Sequence, residues 1–234
     1  MVKLLLSRAI VDLNLRSKLG WTPLLFAASN GHQPVVKFLL LQKSINVNEK
    51  NMYDWTPLIY AATNGDEQMV ELLLSRDDVD VNLADPSGQT PLSKAAENGY
   101  GPVVKLLLLR VDIDVNAEDR VGLTALFFAV KNGRESVVEQ LLEREGVVVD
   151  LKDENGLGLL SIAAKNGHYA VVKLLLQRAD VDVNSKDAEG QTPVSHAVKN
   201  GHVRVVQLLA ARNDVDIQSA ENKCRTPLVS TVEN

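Results

Sequence analysis

The sequence predicts an all-α fold in which short helix–turn–helix units, joined by hairpin-like loops, stack on one another. Three blocks that recur in phase predict it. "GWTPLLFAASNGH" at 20–32 returns, varied, at 54, 88, 122, 156 and 190, and a truncated copy starts at Cys224. "VVKFLL" at 35 returns at 69, 103, 137, 171 and 205, and "INVN" at 45 returns at 79, 113 and 181. Every step is 34 residues. A helix as short as the one in the first block is marginal alone in water, so each unit must lean on its neighbours.

The elements follow in order. Thr22 is a good N-cap and Pro23 suits the first helical position, where a missing N–H costs nothing. Ala27 and Ala28 are small enough for a second helix to approach closely. Asn30-Gly31 supplies the left-handed residue that stops the helix. A second helix is predicted over about 33–42, with Pro34 in its first turn and an apolar surface nearly all round, which must be covered on several sides. "INVNEKNMYD" then reads as extended chain, a turn and a return. The fifth full copy departs most: Gly158 and Leu159 replace Thr and Pro at the helix start. Loss of a cap costs about 1 kcal/mol, so the array is expected to fray there first. Asp54 and Cys224 replace the turn glycine; Asp tolerates left-handed geometry.

The composite "G-x-T-P-L…A-A-x-N-G-H…V-V-K-L-L-L…V-D-V-N" resembles the ankyrin repeat over essentially all 234 residues. The early Trp and Leu-Gly pair of tetratricopeptide repeats are absent in phase. The usual ankyrin unit has 33 residues; here the extra residue falls in the turn after the second helix, as in "LLSRDDVDVN" at 73–82. The histidine of the family's "TPLH" is missing, its place taken by Leu25, Ile59, Ser93, Phe127, Ser161, Ser195 and Val229. In flavour the copies resemble the long arrays of filamentous fungi. The resemblance implies a single ankyrin-repeat solenoid over 1–234: a partial repeat at 1–16, six full repeats at 17–220 and a partial repeat at 221–234. In phase, Asn234 matches Asn200 and Met1 matches Val205. A tail helix docking on the head of the next molecule is therefore an expectation beside a monomer.

Composition narrows the function. A net charge of −5 argues against nonspecific nucleic-acid binding, which needs a basic stripe. No apolar run is long enough to span a bilayer, so a soluble chain without a membrane partner is expected. One cysteine fits a reducing compartment, the cytoplasm or nucleus. His32, His168 and His202 share one repeat position and are read as structural. His196 stands where Phe26, Tyr60 and Phe128 stand in other copies and is read as lining the groove. No Cys/His spacing suits zinc, every glycine has a turn to explain it, and Asp77/Asp78 and Glu143/Glu145 read as solvated charges at helix ends. No catalytic, cofactor or metal site is expected, and the protein is not expected to be an enzyme.

The resemblance implies that function sits on the concave side formed by hairpin tips and inner helices, with another protein as partner. Aromatic residues gather in the first two full copies: Leu19, Trp21 and Phe26, then Met52, Tyr53, Trp55 and Tyr60. Phe26 and Tyr60 are expected mainly to pack between repeats, and Trp21, Tyr53 and Trp55 to be exposed for binding. Further tips offer Arg120 and Leu123, and the inner-helix position before the helix-stop Asn becomes Lys131, Lys165 and Lys199. These twelve residues are the candidate partner-binding set. An apolar anchor towards the first repeats and an acidic character towards the last are expected of the partner. The alternatives are a small-molecule binder or enzyme using the aromatic patch, and a structural spacer within a larger receptor-like protein.

Overall fold

The computed structural model describes residues 12–217. Cys224, the C-terminal partial repeat, most of the N-terminal one and the head-to-tail contact concern residues outside that range. Twelve helices occur among the described residues: α1 Pro23–Ser29, α2 Gln33–Leu40, α3 Pro57–Asn64, α4 Glu67–Leu74, α5 Pro91–Asn98, α6 Gly101–Leu108, α7 Ala125–Lys131, α8 Glu135–Leu142, α9 Leu159–Lys165, α10 Tyr169–Leu175, α11 Pro193–Lys199 and α12 Val203–Ala210. Odd-numbered helices come from the first block and even-numbered ones from the second, so the predicted all-α repeat architecture is what forms.

Two compact units result: residues up to Ala95 with Tyr100–Asp119, and Ala96–Gly99 with Arg120 onward. In the first unit α1 packs on α3, α2 on α4 and α4 on α6. In the second, α7 packs on α9 and α9 on α11, while α8 packs on α10 and α10 on α12. Each core is therefore built between like helices of successive copies. Leu25, Ile59, Val70, Leu107, Leu126 and Leu141 are sealed from solvent, which is how seven- or eight-residue helices survive.

The caps are those the sequence specifies. Thr22, Thr56, Thr124 and Thr192 each accept a hydrogen bond from the N–H three residues on, and Thr90 does the same for Ser93. Gly158 offers no side chain to α9. Asp54 alone among non-glycine residues described holds a positive φ, 55°, in the turn where other copies have glycine.

Three further ties recur, each spanning one repeat. The Asn of "VDVN" clasps the next loop: Asn48 Nδ2 donates to the Asp78 carbonyl (2.7 Å) and its Oδ1 accepts from Asp80 N–H (2.9 Å), and Asn14, Asn82 and Asn184 do likewise. Arg76, Arg110, Arg178 and Arg212 each fork onto the aspartate two residues on and donate to carbonyls of the preceding copy. Asp78, read as a solvated charge, is thus the partner of Arg76, whose hydrogen bonds lower its pKa; the extra residue of the 34-residue unit lies in this loop. Finally, Tyr100, Arg134, His168 and His202, each just before a second helix, lie over the glycine stop of the copy before, and His168 Nε2 donates to Lys131 O (3.1 Å) and His202 Nε2 to Lys165 O (2.9 Å).

Three of these devices are missing in succession where the fourth copy meets the fifth. Gly158 replaces the capping Thr. Asp150 stands where Asn is needed, and its carboxylate has no N–H to donate. Gly146 replaces the aspartate that Arg144 would grip, and Arg144 Nε is buried without a hydrogen-bond partner. An unmade bond at a buried charged group is costly.

Candidate functional site

Each hairpin tip turns on one side chain. Asn51 Oδ1 accepts from the N–H groups of Tyr53 and Trp55, Asp85 Oδ1 from Ser87 and Gln89, Asp153 Oδ1 from Asn155 and Leu157, and Asp187 Oδ1 from Glu189 and Gln191. The second polar atom of the tip is free to reach the inner helix nine residues on. Asn51 Nδ2 donates to Tyr60 Oη (2.9 Å), Lys94 Nζ to Asp85 Oδ2 (2.8 Å) and His196 Nε2 to Asp187 Oδ2 (2.8 Å). Burial alone would raise the pKa of Asp85, but hydrogen bonds from Lys94, Ser87 and Gln89 outweigh it and hold the carboxyl low. Asp187 is lowered in the same way, burial being overcome by Gln191, His196 and Glu189. Burial raises the Tyr60 pKa against the Asn51 bond.

In the first unit these latches support a row of rings. Trp21 stacks on Phe26 with centroids 4.8 Å apart, Tyr60 lies 5.3 Å from Trp21, and Trp55 lies 4.8 Å from Tyr60. Lys94 closes the row, its ammonium 5.6 Å from the centre of Trp55. Trp21 and Trp55, expected to be exposed, are half-buried, as is Tyr60, because the three rings pack on one another. Phe26, expected to pack, keeps 50% of its surface exposed, beside Tyr53 at 53%, Met52 at 56% and Leu19 at 49%. The tips carrying them are tied together, since Met52 N–H donates to Leu19 O.

In the second unit the candidate residues line two cavities. One, of about 340 Å³, has Leu123, Phe127, Leu157 and Ile162 as apolar lining, with Lys131 and Lys165 beside Asp153 and Glu154. The other, of about 320 Å³, shares Leu157 and Lys165 and adds Lys199, His196, Asp187 and Glu189. Lys131, Lys165 and Lys199 are exposed and form no ion pair among the described residues. Arg120 is exposed and lines neither cavity. Sequence reasoning missed Lys94 as the end of the ring row, and the acidic tips across from the lysines. Comparing tip position 17 with helix position 26 through the repeats would have exposed both.

Among the described residues no group of His, Cys, Asp and Glu is arranged to hold a metal ion, and no helix is long and apolar enough to cross a membrane. A family model described as "Ankyrin repeats (3 copies)" matches residues 1–85, 46–119, 77–153 and 160–234. This chain belongs to the ankyrin-repeat family. No curated protein sequence matches it. Among solved structures, the ankyrin repeat protein EF0377 superposes with a TM-score of 0.76 at 28% identity, covering 84% of this chain and all of that one. The ankyrin repeat domain of Bcl-3, described as a unique member of the IkappaB protein family, gives 0.72 at 30% identity, covering 82% of this chain and 86% of that one. Ankyrin repeats are generally protein–protein interaction modules and typically non-catalytic.

Proposed function

We propose that this ankyrin-repeat chain is a non-catalytic interaction module or scaffold that grips another protein through the aromatic face of its first two full repeats. The observation that carries the reading is the exposed fringe of the ring row. Phe26, Tyr53, Met52 and Leu19 leave large apolar surfaces in solvent; Phe26 is stacked on Trp21 of the ring row, and the tips carrying Leu19 and Met52 are tied through their backbones. Aromatic residues held against a fixed backing lose little side-chain entropy on binding and dominate interface hot spots. The rings fill one another's space, which suits a flat protein surface rather than an enclosed small ligand. The lone cysteine supports a cytoplasmic or nuclear setting for this work.

The test is affinity capture with mass spectrometry from the source cell, wild type beside a Phe26→Ser/Met52→Ser/Tyr53→Ser variant. All three side chains are exposed, so the variant keeps its fold, which circular dichroism verifies. A protein retained by wild type and lost by the variant supports the reading. Identical capture by both would move binding off this face, and capture of nothing by either would favour the spacer.

A further inference from the structure

We infer that the two cavities of the second unit form one groove for an extended peptide segment of a partner, bearing an apolar side chain and, three residues away, a carboxylate. The assignment goes beyond the aromatic face and rests on different residues.

The cavities differ in chemistry. The first is floored by Leu157 and Ile162, and its charges balance, Lys131 and Lys165 against Asp153 and Glu154, so its apolar floor takes an apolar side chain. About 340 Å³ is ample for a leucine or phenylalanine. In the second cavity both acids are already engaged: Asp187 accepts from His196, and Glu189 from the Gln191 amide. Lys165 and Lys199, exposed and without ion pairs among the described residues, are the charges left over on its wall. That cavity therefore selects an anion, and a carboxylate is the one a peptide carries most often.

Spacing sets the conformation of the occupant. The cavities sit one repeat apart and share Leu157 and Lys165, and stacked helices are roughly 8–10 Å apart. A polyproline II segment brings residues three apart onto the same face at about 9 Å, whereas a β-strand would turn them to opposite faces. The occupant is thus a polyproline II segment whose i and i+3 side chains are apolar and acidic, in one of the two chain directions.

The probes are blocked eight-residue peptides in a proline background, carrying one leucine with a glutamate, glutamine or lysine three residues before or after it. Each is titrated into the full chain while methyl and amide NMR shifts are followed. In one direction, the glutamate peptide is expected to shift Leu157, Ile162 and Lys165 and to bind about fivefold more tightly than its lysine counterpart, the scale of exposed charge pairs. Lys165→Gln, an exposed position that leaves the urea midpoint unchanged, is expected to narrow that difference while the leucine still shifts Ile162. The Phe26→Ser/Met52→Ser/Tyr53→Ser variant is expected to bind the peptide as wild type does, so failure of the aromatic face and failure of the groove are read separately. Equal binding of glutamate and lysine peptides in both directions, or no shift at Leu157 and Ile162 with any of them, overturns the assignment.

Discussion

Restoring the missing cap at Gly158 is the most direct probe of how this array is held together. The backbone there already has the shape a threonine cap adopts, φ −76° and ψ 168°, against −97° and 166° at Thr192 and −97° and 172° at Thr124. A Cβ added to Gly158 meets only Leu151 O at 3.7 Å and Ser185 Oγ at 3.9 Å, ordinary contact distances. Gly158→Thr therefore fits, and its hydroxyl can accept from the Ser161 N–H, whose residue is buried. Glycine is itself a fair N-cap, so the exchange contributes a few tenths to about 1 kcal/mol. Loss of glycine's freedom in the unfolded chain adds about 0.4–1 kcal/mol. A gain of about 1 kcal/mol moves the urea midpoint up by roughly 0.3–1 M for slopes of about 1–3 kcal/mol/M. The assay is urea denaturation with amide hydrogen exchange across 156–166. In wild type these amides are expected to exchange faster than 88–98, and in the variant the gap narrows. An unchanged or lower midpoint, with 159–166 no better protected, would refute the reasoning that the fifth copy is weak for want of a cap.

Three other expectations follow from the same ties. Gly31 and Gly65 have nearly the same φ, 68° and 67°, but a Cβ at Gly31 meets nothing nearer than 3.8 Å while one at Gly65 lands 2.7 Å from the Tyr100 ring. Both alanine variants bear left-handed strain of about 1–2 kcal/mol, and Gly65→Ala is expected to lose about 1–3 kcal/mol more in chemical denaturation through the collision. Arg178→Met breaks a fork onto Asp180 and is expected to destabilise by about 1 kcal/mol, whereas Arg144→Met removes a buried Nε that has no hydrogen-bond partner and is expected to be neutral or stabilising; equal effects in urea would contradict this. Acid unfolding gives the third. Asp85 and Asp187 have folded pKa values below their ordinary value, so their contribution is fully present above pH about 4, the unfolded value, and fades as pH falls through the folded one. Asp85→Asn is expected to flatten the fall in urea midpoint between about pH 4.5 and 2.5; an unaltered profile would remove Asp85 from the account.

What the sequence by itself determined is local or periodic. The caps of Thr22, Thr56, Thr124 and Thr192, the glycine stops and the 34-residue step each depend on residues within a few positions, or on a repeat visible by eye. The exposure of Leu19, Met52 and Tyr53 was also legible, because a hairpin tip faces solvent, whereas Trp21 and Trp55, expected to be exposed, half-bury against Tyr60. What only the tertiary structure decided involves partners about one repeat away. Asn48 reads as a strand-end residue until the Asp78 carbonyl arrives beside it, and Arg76 and Asp78 read as solvated until the loop folds them together. Phe26 and Tyr60 look equivalent in sequence. Phe26 stays the more exposed of the two because Trp21 stacks on it from one side alone, whereas Trp21, Trp55 and the Asn51 amide all contact Tyr60. Such contacts are set by which copy lies next to which, and stacking creates that neighbourhood only once the chain has folded.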